Sequence, residues 1–96
     1  MMNQVIMVGR IVKIESEERT IVTIAVTRAF KNSDGEYEND IIPVTLFGAI
    51  SETTLEYCKK GDIIGVKGRV QIEDNKIVLV ADKISFLSSK KEDDNE

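Results

Sequence analysis

Apolar and β-branched residues recur at every second position through most of this chain, and turn-forming residues cut the pattern into runs. Alternation sends successive side chains to opposite faces of a strand, so each run supplies part of a sheet rather than a helix. Five strands are predicted. NQVIMVGRIVK (3–13) is the first, with Gly9 interrupting the alternation where a bulge or strong bend is expected. TIVTIAVTRAF (20–30) is the second. The polar connection KNSDGEYEND, with a turn signal at Asp34-Gly35, leads into the third, DIIPVTLFG (40–48). After Phe47 and Gly48 the period changes. AISETTLEYCKK places Ile50, Thr54, Leu55 and Cys58 at helical spacing, and Gly61 is the expected stop. DIIGVKGRVQIE (62–73) then alternates again, with Ile64, Val66, Val70 and Ile72 on one row and Lys67, Arg69 and Gln71 on the other. Asp74-Asn75 is a two-residue turn candidate into the fifth strand, KIVLVADKISF (76–86), whose run Ile77 to Ala81 is expected to be covered on both faces.

Strand, strand, strand, helix, strand, strand is the layout of the OB-fold, an all-β, five-stranded Greek-key barrel with one short helix between strands three and four. A chain of 96 residues supports one such core and no second one. The domain is assigned to residues 1–88. Beyond Leu87 the sequence turns polar and acidic, and 89–96 is expected to be a short disordered tail. The chain has 42% apolar and 31% charged residues, no run of eighteen apolar residues and no charged-then-apolar leader. It reads as soluble, unprocessed and cytoplasmic, with no membrane segment.

Chemistry is scarce. The single cysteine cannot form an internal disulfide, and without histidine neither a metal site nor thiol catalysis has its partners. Cys58 reads as a small core residue. The carboxylates cluster in loops and tail rather than across a cleft, so no nucleophile has a base beside it. No enzyme, metal or cofactor is expected.

The net charge of −4 argues at first against a polyanionic partner. However, the tail from Lys90 to Glu96 carries two positive and four negative charges, and Glu15 to Glu18, placed in a predicted loop, adds three negatives; without both segments the remainder is +1. Potential is local at a Debye length of about 8 Å, so what matters is which charges share a face.

On strand three, Ile42, Val44 and Leu46 form the row a core requires. The opposite row holds Ile41, Pro43, Thr45 and Phe47, more apolar than an outer row needs. Pro43 cannot donate a ladder hydrogen bond, so the strand is locally an edge or bulged there. Strand two ends in Arg28-Ala29-Phe30, strand four presents Lys67 and Arg69, and Arg10 is a further candidate to join them. Flat apolar groups beside cations are what single-stranded nucleic acid needs, since it exposes base faces along a phosphate chain. The alternative for Phe30, Ile41 and Phe47 is packing under the helix, beneath the 33–39 loop or between subunits. For Lys67 and Arg69 the alternative is ordinary solvation.

NQVIMVGRI and LFGAISETTLEYCKKGDIIGVKGRV, at their observed separation, closely resemble the bacterial and phage single-stranded DNA-binding proteins. The likeness spans residues 2 to 72. Its most specific part places Glu56, Tyr57, Lys60, Gly61 and Gly68 at the family's spacing. The resemblance implies an OB-fold, sequence-tolerant binding of single-stranded DNA in replication, recombination or repair, association with the nucleoid, homo-oligomers that are usually tetramers with a dimer as the smaller alternative, and no catalysis. It assigns the stacking positions to Phe30, Ile41 and Phe47, where Ile41 replaces a typical tryptophan. DNA wrapping around the barrel implies phosphate contacts at Arg10, Arg28, Lys31, Lys67 and Arg69. Tyr37, in the loop joining strands two and three, could reach a base or pack on its own hairpin, while Tyr57 is assigned to packing.

Two departures matter. The long, aromatic-bearing hairpin usual between strands four and five is cut to the Asp74-Asn75 turn, and the chain ends EDDNE without the apolar pair that docks replication and repair proteins. Recruitment through the tail is therefore expected to be weak or absent. The acidic balance, the few aromatics and the missing hairpin keep a second reading open, an OB protein of the primosomal accessory type acting mainly through protein contacts. For strand one, consecutive Val5, Ile6, Met7 and Val8 exceed what one core face uses, so pairing with a second copy is expected.

Overall fold

The computed structural model describes residues 1–89. Five strands and one helix follow the predicted order: β1 (Val5–Ser16), β2 (Thr20–Lys31), β3 (Tyr37–Leu46), α1 (Gly48–Tyr57), β4 (Ile63–Glu73) and β5 (Lys76–Ser88). The strands close into a barrel in the order β1-β2-β3-β5-β4. All neighbours are antiparallel except β3 and β5, which pair in parallel at Val44↔Leu79 and Thr45↔Val80 only. This is the OB topology read from the sequence.

Closure depends on β1 serving two neighbours. Its first half, Val5–Arg10, pairs with β4, and its second half, Arg10–Ser16, pairs with β2. Gly9 is buried at this changeover, where a Cβ would stand 2.7 Å from the Ala25 carbonyl oxygen. The irregularity expected at Gly9 falls slightly later, as a register shift between Ile11 and Lys13. Glu15 and Ser16 are not in a loop as predicted. They extend β1 by pairing with Ile21 and Thr20.

Inside lie Ile11, Val22, Ile24, Val44, Leu46, Ile64, Val66 and Ala81, with Ile42, Ile50 and Cys58 packed against them. The inner rows read from alternation on strands three and four thus point inward near the barrel's middle. They fail at its end: Ile72 and Ile77 face each other across the β4–β5 hairpin at 65% and 72% exposure, because this hairpin runs past the layer that would cover them. Of the run Ile77 to Ala81, only Val80 and Ala81 are buried.

The helix is shorter than predicted. Cys58 is already extended (φ −115°, ψ 150°), and the chain turns through Lys59–Asp62, where Asp62 Oδ2 accepts the Lys59 amide at 2.9 Å and Gly61 adopts φ 100°. A carboxylate closing the turn ends the helix before Gly61 can. Thr54 is the buried helix residue, and Leu55, expected inward, is 42% exposed. At the other end of the chain, β5 continues through Leu87 to Ser88, which pairs with Ile63. The rest of the predicted disordered tail, from Lys90 on, lies outside the described residues.

Candidate nucleic-acid interface

The second apolar row of β3 is on the outside. Ile41 is 60% exposed, Pro43 is exposed, and Phe47, the residue preceding α1, is 48% exposed; Thr45 alone in the row is buried, where β3 meets β5. Register builds outward from this row. Arg10 pairs with Ala25, and Ala25 with Ile41, so a cation, a small residue and an exposed apolar side chain stand in one line across three strands. Next along the barrel is the Thr23↔Pro43 pair. Alanine and threonine in the middle keep this surface low, so that a flat group can lie against Ile41 and Pro43. Pairing with β5 begins only at Val44, which leaves β3 before that point with a free edge, and Pro43 stands immediately before the changeover.

Beyond Thr27↔Asn39 the β2–β3 hairpin continues as an arm with a register irregularity before Lys31↔Tyr37. Phe30 is 85% exposed and Tyr37 55% exposed, with the Lys31 ammonium 5.8 Å from the Tyr37 ring centroid. Asn32 organises the tip: its Oδ1 accepts the amides of Asp34 (2.9 Å) and Glu36 (3.0 Å), and its Nδ2 donates to Glu38 at 3.1 Å. Gly35 supplies the positive φ, 78°, that the turn requires. Farther back, Arg28 donates to Glu38 at 2.9 Å and to both oxygens of Asp40 at 2.9–3.2 Å. That hydrogen bond holds the Asp40 carboxyl below its ordinary range.

The cations differ in what already engages them. Arg28 is bound to two carboxylates, and Arg69 is bound to Asp82 and Gln71. Arg10 donates to the Gly61 carbonyl at 2.7 Å, an uncharged partner, and forms no ion pair among the described residues. Lys67 is exposed between Ile6 and Lys83 and forms no ion pair among the described residues. It lies four residues along β4 from the partner of Arg10, roughly 13 Å at the rise of a strand. The nine candidate residues therefore fall in three places: Arg10, Ile41 and Phe47 on the outer face; Arg28, Phe30, Lys31 and Tyr37 on the arm; Lys67 and Arg69 on β4.

One residue escaped the sequence reading. Arg19 lies over Phe47, with its guanidinium carbon 5.6 Å from the ring centroid, and its Nη1 bonds Glu73 Oε1 at 3.0 Å. Continuing the Thr20↔Leu46 register by one step would have placed it opposite Phe47. Tyr57, assigned to packing, is instead 68% exposed on the rim of a cavity of about 430 Å³ between α1 and β5, whose lining includes none of Ile41, Pro43 and Phe47. Cys58 lines the same cavity, and burial together with the negative Asp62 pushes its thiol pKa up, the opposite of what a nucleophile needs. Among the described residues no group of three or more Cys, Asp or Glu could hold a metal ion, and no helix is long and apolar enough to cross a membrane.

The closed OB barrel thus carries an exposed apolar row beside a line of small residues and an arginine that forms no ion pair among the described residues. Residues 2–78 match the profile of the Single-strand binding protein family, and the chain belongs to that family, one of binding proteins rather than enzymes. Single-stranded DNA-binding protein B of Bacillus subtilis is 39% identical, over 94% of this chain and 94% of its own length. Single-stranded DNA-binding protein 1 of Clostridium acetobutylicum is 36% identical, over 95% and 98%. Among solved structures, the mitochondrial single-stranded DNA binding protein Rim1 of S. cerevisiae superimposes with a TM-score of 0.72 at 20% identity, covering 93% of this chain and 97% of its own, a likeness of fold. The family resemblance read from residues 2 to 72 is thereby borne out.

Proposed function

We propose that this protein binds and protects single-stranded DNA without reading its sequence, in replication, recombination or repair, as a homo-oligomer in the cytoplasm. The observation that carries the reading is the outer line Arg10–Ala25–Ile41 with Pro43 and Phe47 beside it. Bases stack on Phe47 and lie against Ile41, Arg10 meets a phosphate, and the ordered arm adds Phe30, Tyr37 and Lys31. Lys67 takes a phosphate where the strand continues over β4, and Arg28 and Arg69 do so only by giving up their carboxylate partners. Stacking is worth roughly 1–3 kcal/mol per base. With few rings, binding leans on cations and falls steeply with salt.

Self-association uses β1. Ile6 and Val8 are 72% and 54% exposed, and the β1 edge before Arg10 has no β2 partner. An exposed apolar edge of this kind pairs with its copy. The tetramer is the assembly we assign, in keeping with the family resemblance.

The neutralisation of Arg28 and Arg69 by carboxylates favours the second reading, a primosomal-type accessory that works chiefly through protein contacts. Titration with oligo-dT at two salt concentrations, with light scattering on the same samples, separates the two. The first reading expects micromolar or tighter binding at low salt, a loss of about ten- to a hundredfold in Phe47→Ala, and a particle larger than a monomer. No binding at low salt, or a monomer at high concentration, would count against the corresponding claim.

A further inference from the structure

We propose that Arg19 is a DNA-contacting residue of this interface and that Glu73 restrains it, an inference that rests on the single-stranded DNA reading above. The guanidinium occupies a face of the Phe47 ring, 5.6 Å from its centroid, and the Glu73 carboxylate holds it there at 3.0 Å. Glu73 is itself fixed. It is the last residue of β4 and enters the two-residue turn Asp74-Asn75, whose φ angles of 51° and 66° are those of the tightest hairpin connection. The short hairpin thus delivers a carboxylate to the edge of a stacking ring.

A base and a guanidinium cannot share one ring face. When a nucleotide stacks on Phe47 from that side, Arg19 has to leave it, and a planar, fivefold donor released beside a stacked nucleotide has the flanking phosphate within its natural chemistry. Glu73 opposes the move, because the arginine must exchange its carboxylate for the phosphate. With side chains 40% and 32% exposed, the pair is a partly solvated ion pair of modest strength, so the restraint is a few-fold rather than absolute.

The test is a double-mutant cycle read by oligo-dT affinity and its salt dependence, with each variant first checked for an unchanged circular dichroism spectrum. Glu73→Gln should tighten binding by about two- to fivefold. Arg19→Gln should weaken it and make the slope of log K against log salt shallower by about 0.7, the value of one phosphate contact on a single strand. Arg19→Lys, which keeps the charge, should restore the slope. In the Arg19→Gln background, Glu73→Gln should lose its gain. An equal gain in both backgrounds would mean that removing a negative charge anywhere suffices, and would overturn the proposal. So would an Arg19→Gln protein with unchanged affinity and slope. If the unmodified protein fails to bind oligo-dT, the underlying reading is wrong; if it binds and Phe47→Ala weakens it while Arg19 and Glu73 are silent, only the present inference is.

Discussion

Arg28 illustrates how a charge can be present and yet engaged. Its guanidinium ties Glu38 to Asp40 along the arm, so it stiffens the hairpin that carries Phe30 and Tyr37. The Asp40 carboxyl is held low chiefly by the hydrogen bond from Arg28. A depressed carboxylate contributes stability that is full above its unfolded value, about 3.9, and is lost as pH falls through the lower folded value. Carbon-detected NMR titration should therefore place the Asp40 midpoint below that of a free aspartate, and Arg28→Ala should return it to the ordinary range; an ordinary midpoint in the unmodified protein would refute the pairing. Alternation made Arg28 visible as a cation in the sequence, but not its partners, because they depend on which residues of β3 lie across the hairpin. Arg19 was hidden for the same reason. The exposed apolar row Ile41–Phe47 was legible, since it needs only the period of one strand.

At the scale of elements, the barrel is set by close approaches as much as by apolar rows. Gly68 on β4 is buried, and a Cβ there would run into the backbone carbonyl of Val80 on β5, a neighbour that cannot rotate away. Gly68→Ala should cost about 1–3 kcal/mol, measured as a lower denaturant midpoint at unchanged slope. A change within about 0.5 kcal/mol would show that β5 yields there. The existence and order of strands and helix were legible because period 2 and period 3.6 differ sharply over ten residues. Element ends were not. β1 runs on to Ser16 because β2 offers partners there, and α1 stops at Tyr57 because Asp62 captures the Lys59 amide. Ile72 continued the correct row but passed beyond the end of the barrel, which no periodicity reveals.

For the whole molecule, the split pairing of β1 and the limited β3–β5 contact leave one outer surface low, apolar and bordered by Arg10. An overall charge of −4 does not describe that surface, since Glu17, Glu18 and the four carboxylates after Lys91 lie at the β1–β2 turn and near the chain's end, and Glu38 and Asp40 on the arm are already bound by Arg28. The central claim is that this face, not the cavity between α1 and β5, receives the bases. Amide chemical-shift mapping during an oligo-dT titration tests it most directly. The largest shifts should fall on Arg10, Ala25, Ile41 and Phe47 and extend into the arm, with Thr53 and Ile84 in the cavity unmoved; shifts centred on the cavity, or none on the outer row, would contradict the account.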